Sequence, residues 1–259
     1  ELILVVVPSH AFRPVLETVR RTLKQVNAIV WASKGFEAPQ RLLHQVVEEI
    51  YGAEIDYAVL SGPTFALEVA RGLPTAVTIA SPSTKFATQL AHCLHNDHFR
   101  AYTSTDVIGV EVGGAVKNIL AIGAGIADGL GFGANTRAAL ITRGLAEIIR
   151  LGLALGAESE TFMGLTGLGD LVLTCTDNLS RNRRFGIAIA QGQTQTQALN
   201  SIGQVVEGIQ TAKAVHELAQ KLNIEMPITE QVFQVLYKGK APRDAVSELF
   251  LRELKPEHL

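Results

Sequence analysis

The stretch Gly113-Gly114-Ala115-Val116-Lys117-Asn118 sets one lysine on a long run of small and apolar residues, Gly109 to Gly133, with no other cation until Arg137. Small residues let backbones pack closely and leave room for a ligand. A lysine on such a surface loses hydration, which disfavours its charged form. Its ordinary pKa of about 10.4 is too high for proton transfer at neutral pH, so burial moves it in the useful direction. The same segment also suits a buried helix whose lysine reaches sideways to water. A second patch, Gly167-Leu168-Gly169-Asp170-Leu171, leads to Thr174 and Cys175. An unpaired carboxylate in an apolar turn is costly. Asp170 therefore pairs with Lys117 or caps a helix starting near Leu171, and the two roles are compatible.

A third patch, Ser180-Arg181-Asn182-Arg183-Arg184, joins arginine forks to a helix start with free N–H groups, a combination suited to phosphate or simply to solvent. The fourth, Ser61-Gly62-Pro63-Thr64-Phe65, has a glycine that lets a ligand approach the backbone, and reads equally as an ordinary β-to-α turn. His92, Cys93, His95 and His98 also cluster, with His92 and His95 on one helix face. No second ligand group at zinc-type spacing accompanies them, so no metal is expected.

These patches need elements to hold them. Residues 1–105 alternate short apolar runs with helical stretches. Strands are expected at Glu1–Val7, Ala28–Ala32, Tyr57–Leu60, Thr75–Ala80 and Phe99–Thr103. Helices are expected at Phe12–Leu23, with Pro14 in its first turn, at Pro39–Tyr51, from Thr64 to Arg71, and at Ser83–His95. That alternation predicts an α/β domain with a parallel sheet and ligands at the carboxyl ends of its strands, here Pro8-Ser9-His10, Ser33-Lys34-Gly35 and Ser61-Gly62-Pro63-Thr64. From residue 106 to 259 the pattern is all-α: Asp106–Asp128, Thr136–Leu155, Ser180–Gln191, Val205–Leu222, Thr229–Tyr237 and Pro242–Leu249. The chain starts at Glu1 directly in a buried-strand pattern, so an N-terminal portion is expected to precede it.

The 259 residues are 47% hydrophobic and 19% charged with a net charge of -2, which fits a globular protein and offers nothing to nucleic acid or an anionic membrane. Unbroken apolar runs such as Leu2–Pro8 fall short of the roughly 20 residues that span a bilayer. Two cysteines make no disulfide framework and no secretory signal is visible, so a cytoplasmic location is expected.

Taken together, the segments LILVVVPSH (2–10), WASKG (31–35), SGPTFALE (61–68), GVEVGGAVKNILAIGAG (109–125), GLGDLVLTCTDNLSRNRRFG (167–186) and GQVVEG (203–208) resemble the bacterial NAD(P)-dependent glycerol-3-phosphate dehydrogenases. The resemblance implies a Rossmann-like sheet domain, incomplete at its N-terminus, followed by a helical domain. It also implies NAD or NADP as cofactor, no metal, and interconversion of sn-glycerol 3-phosphate and dihydroxyacetone phosphate for glycerophospholipid synthesis. It makes Lys117 the proton donor and acceptor. Lys34, Gly62, Thr64, Asp170, Ser180, Arg181 and Asn182 join Lys117 around the substrate, with Arg181 as phosphate clamp. Lys34, Ala66, Arg181, Val205 and Glu207 would contact the dinucleotide, and Asn118 and Thr174 would give support. Partners would be the small-molecule substrate and, in a homodimer, a second copy. The family's glycine-rich dinucleotide fingerprint is expected ahead of Glu1. Rival readings are a 6-phosphogluconate-type dehydrogenase, which also sets a lysine after paired glycines on a long helix, and a non-catalytic metabolite sensor.

Overall fold

The computed structural model describes residues 1–253. Five strands form one sheet in the order β1 (Leu2–Val5), β2 (Ala28–Trp31), β3 (Asp56–Ser61), β4 (Thr75–Ala80) and β5 (Phe99–Ser104). β1, β2 and β3 run parallel, as do β4 and β5, but β4 runs antiparallel to β3, with Ser61 opposite Thr78. The sheet is mainly parallel, as the sequence alternation predicts, with the β3–β4 pair as the one exception among the described strands. A parallel return needs a crossover of a dozen or more residues whose helix packs on the sheet. The only helix between β3 and β4 is α3 (Ala66–Ala70), which buries no residue and so carries no crossover.

Pleating sends alternate side chains of β2 to opposite faces. Ile29 and Trp31 meet Phe12 and Leu16 of α1 (Ser9–Thr22) and Val46 of α2 (Leu43–Tyr51), while Val30 joins Val77, Ile79 and Leu90, the last on α4 (Thr84–Leu94). α1 starts three residues before its expected Phe12, so Pro14 lies inside the helix rather than in its first turn. α2 starts at Leu43, because residues 37–41 form a small bridged turn with a cis peptide bond before Pro39. β1 is an edge of the sheet and exposes the apolar side chains of Leu2 and Leu4.

The helical part is built around α5 (Val107–Gly129), almost wholly buried. Asp106 accepts a hydrogen bond from Gly109 N (2.7 Å) and fixes its start. α5 is long and apolar enough to cross a bilayer by length and composition, which the search for unbroken apolar runs missed. Its burial is that of a core helix, enclosed by α6 (Ala134–Ala154), α7 (Asp170–Thr176), α8 (Arg181–Ala190), α10 (Glu207–Leu222) and α11 (Pro227–Lys238). α9 (Gln195–Ile202), absent from the sequence reading, and α12 (Pro242–Phe250) complete it. The chain before Asp170, expected as a glycine-rich turn, forms a 3-10 turn (Ser159–Met163) and one π turn (Leu165–Gly169).

Two glycine contacts set the position of α8. A Cβ on Gly125 would overlap the Arg183 carbonyl, and one on Gly186 would overlap the Ile122 carbonyl. Without side chains there, the backbones of α5 and α8 touch. The paired glycines of α5 do the same on its other sides. A Cβ on Gly113 would lie 3.0 Å from the Thr166 carbonyl, and one on Gly114 would lie 2.8 Å from Ser61 Oγ. The π turn leading to Asp170 and the end of β3 therefore both close on α5 within one turn of Lys117.

Candidate active site

Lys117 is 6% exposed and Asp170 is 1% exposed. Lys117 Nζ donates to Asp170 Oδ1 and to Thr174 Oγ1 (2.8 Å), one helical turn further along α7. Lys34, just beyond β2, donates from Nζ to Asp170 Oδ2 (2.6 Å) and to the Gly62 carbonyl (3.1 Å). Thr64 Oγ1 donates to that same carbonyl (3.1 Å). Gly62 has φ +154°, and a Cβ there would press on β4 at Ala76 O (3.1 Å) and Val77 Cα (3.2 Å), so this turn requires glycine. Asp170 lies in the first turn of α7 and makes no side-chain cap, so of its two expected roles only the pairing is realised.

One carboxylate thus faces two ammonium groups. Burial is the strongest influence on Lys117 and pulls its pKa down to about 7, helped by the charge of Lys34 and opposed by Asp170. For Asp170, burial favours protonation, but the charges of Lys117 and Lys34 outweigh it and hold the carboxyl below its usual range. The buried site carries one unit of uncompensated positive charge, and Lys117 is the group best placed to release it. Burial pushes the neighbouring Cys175 thiol up to about 12, which leaves it inert.

The third patch joins this cluster through amides. Asn182 Nδ2 donates to Asn118 Oδ1 (2.9 Å), beside Lys117, and Gly208 N donates to Asn182 Oδ1 (2.9 Å). Ser180 caps α8 by accepting from Arg183 N (3.2 Å). Arg183 is committed to Asp128 (2.7 Å) and Asn178 (2.6 Å). Arg181 is exposed and has no hydrogen bond or ion pair among the described residues. Glu207, at the start of α10, accepts from Ser9 N (3.2 Å) and Ser9 Oγ (2.8 Å), tying the end of β1 to the helical part. Gly35 packs on both residues of that pair.

Lys34, Gly62, Thr64, Lys117, Asp170 and Thr174 therefore lie in one hydrogen-bonded network, while Asn118 and Asn182 form a second pair and Glu207 a third with Ser9, each next in the chain to a member of another group, and Ser180 and Arg181 stand at the start of α8. Ala66 and Val205 are exposed and make no side-chain bond to these groups. Ser61 and Gly35 enter the sequence reading only as members of the ligand-facing strand ends, without roles of their own, and Thr166 is passed over, since nothing in its spacing marks it. Among the described residues no group of three or more His, Cys, Asp or Glu side chains could hold a metal ion.

Models of the NAD-dependent glycerol-3-phosphate dehydrogenase family match residues 1–87 (N-terminus) and 106–247 (C-terminus). The chain belongs to this family. It is 60% identical to the glycerol-3-phosphate dehydrogenase [NAD(P)+] of Nitrosococcus oceani, over 99% of this chain and 75% of that protein. The Bartonella henselae protein of the same name is 58% identical, over 98% of this chain and 76% of its own length. Among solved structures, the glycerol-3-phosphate dehydrogenase of Coxiella burnetii superposes with a TM-score of 0.94 at 50% identity, covering 97% of this chain and 77% of that one.

Proposed function

We propose that this chain interconverts sn-glycerol 3-phosphate and dihydroxyacetone phosphate, with NAD(P)(H) as hydride partner. The observation that carries the reading is the pair of lysines sharing Asp170 inside the protein. A nicotinamide cofactor, when bound, supplies or accepts the hydride at substrate C2. The residues present suit its nicotinamide end: the carboxyl ends of the parallel strands β1, β2 and β3 lie on one side, with Lys34 beyond β2 and the Ser9–Glu207 pair beyond β1, and Ala66, Val205 and Arg181 are exposed.

Lys117 Nζ gives its proton to the C2 oxygen in reduction and takes one back in oxidation. The surplus positive charge of Lys117 and Lys34 over Asp170 favours the negative charge that develops on that oxygen, in a site from which water is excluded. Asp170 and Thr174 hold the amine in place, and Lys34, Gly62 and Thr64 line the substrate. The uncommitted Arg181 fork and the start of α8 hold the phosphate. Asn182 orients Asn118 rather than reaching outward, because both ends of its amide are bonded within the protein. Phosphate binding remote from C2 positions the reacting carbon.

The reading divides the chain into a dinucleotide-binding part, 1–105, and a catalytic part, 106–259. It includes a homodimer, supply of glycerol 3-phosphate to phospholipid synthesis, and a cytoplasmic location, which the free thiols of Cys93 and Cys175 suit. The test is oxidation of NADH and of NADPH on adding dihydroxyacetone phosphate, beside reduction of NADP+ with 6-phosphogluconate. Faster turnover of 6-phosphogluconate would overturn the assignment, and the ratio of the NADH and NADPH rates reports the cofactor preference.

A further inference from the structure

Ser61 ends β3, is 2% exposed, and its Oγ has no hydrogen-bond partner among the described residues. A buried hydroxyl left unpaired is costly, so it calls for a partner. The orphan lies among working parts. The next residue, Gly62, gives its carbonyl to Lys34 Nζ. The point where a Gly114 Cβ would sit is 2.8 Å from Ser61 Oγ and 3.6 and 3.7 Å from Cγ and Cδ of Lys34. Hydroxyl and lysine stem converge on one spot of α5, a turn ahead of Lys117. An ammonium has three N–H donors. Two of those on Lys34 are placed, on Asp170 and Gly62. An acceptor without a donor thus lies beside the stem of a lysine whose ammonium has one donor to spare.

We propose that Ser61 is a positioning residue for the dehydrogenase reaction, whose hydroxyl takes the Lys34 ammonium when it swings off Asp170, leaving that carboxylate to Lys117 alone. The inference rests on the function proposed above. With Lys34 on Asp170, the crowded positive charge drives the proton off Lys117. With Lys34 on Ser61, Lys117 keeps its proton more firmly. Ser61 thereby sets the pH at which Lys117 works. The other titratable groups facing Lys117 are Asp170 and Cys175 on α7. Cys175 stays a neutral thiol, and Arg183 on α8 is bound to Asp128.

The experiment is the pH dependence of kcat in both directions, with KM and Tm, for the wild-type protein, Ser61→Ala and Ser61→Cys. Ser61→Ala holds Lys34 near Lys117, so both profiles move to lower pH by about half a unit. KM for dihydroxyacetone phosphate stays near the wild-type value, and Tm is unchanged or raised because an unpaired hydroxyl is gone. Ser61→Cys, a weaker acceptor, gives a smaller shift in the same direction and tests the idea alone should the alanine variant fail to fold. Superimposable profiles at wild-type turnover would overturn the role of Ser61 only. A wild-type protein that does not turn over dihydroxyacetone phosphate would overturn the dehydrogenase reading and this one together.

Discussion

Lys117 is held by a carboxylate, a hydroxyl and the repulsion of a second lysine, and its protonation is the balance of these. With a pKa of about 7, the group is half protonated near neutrality. Reduction needs the ammonium as proton donor, so its kcat falls as pH rises through about 7. Oxidation needs the free amine, so its kcat rises over the same range. Lys117→Ala should lower kcat by about 10²–10⁴-fold with little change in cofactor binding, the usual worth of a positioned acid or base. Steady-state rates with binding measured separately would show it. Arg181→Ala should instead raise KM for dihydroxyacetone phosphate about 10–100-fold, the worth of one charge-assisted contact. An unchanged KM and kcat/KM would remove the clamp. Lys117 and Asp170 stood out in the sequence because charges are rare in apolar, glycine-rich surroundings. Ser61 figured only as the first residue of a candidate turn, since a serine's lack of a partner is visible only in three dimensions.

At the scale of elements, the α5–α8 contact decides where the phosphate end of the site lies. Gly125→Ala forces a methyl into the Arg183 carbonyl. We expect about 1–3 kcal/mol of lost stability, seen as a lower Tm, and a raised KM for dihydroxyacetone phosphate as Asn182 moves off Asn118 and Arg181 shifts with the start of α8. The long helices were legible from their apolar content and caps. The α7 entry was not, because a π turn built from Leu165–Gly169 has no periodic signature. The strand-to-strand direction of β4 also escaped the sequence, because period-2 alternation is the same in either direction. Glu147 on α6 is another residue found only in space. It accepts from Ile228 N (2.5 Å), Thr229 N (3.1 Å) and Thr229 Oγ1 (2.9 Å), capping α11. Burial raises its pKa to about 7 against those three bonds. The folded state therefore binds the proton more tightly than the unfolded chain. The stability tied to Glu147 is complete below pH 4.5 and is lost as pH rises through about 7. Tm measured from pH 4.5 to 8 should fall more steeply for wild type than for Glu147→Gln, and parallel curves would exclude this linkage.

Over the whole molecule, sheet and helices are locked by polar pairs as well as apolar packing. Glu111 of α5 accepts from His44 N (3.0 Å) and pairs with His44 Nδ1 (2.5 Å) at the start of α2. Ser9 and Glu207 join the two parts at the end of β1. Removing one member of a buried pair leaves the other unsatisfied, so Glu111→Ala should cost about 3 kcal/mol in denaturant unfolding. A loss within error would show that the apolar contacts suffice. This rigidity is what lets Lys34, from the sheet part, meet Asp170 and Lys117, from the helical part, at hydrogen-bond distance. The central claim is that Lys117 exchanges the proton at C2. Its most direct test is kcat against pH in both directions, for wild type and Lys117→Ala. The account predicts wild-type limbs of opposite slope meeting near pH 7 and absent from the variant. Limbs of the same slope, or a variant that turns over like wild type, would contradict it.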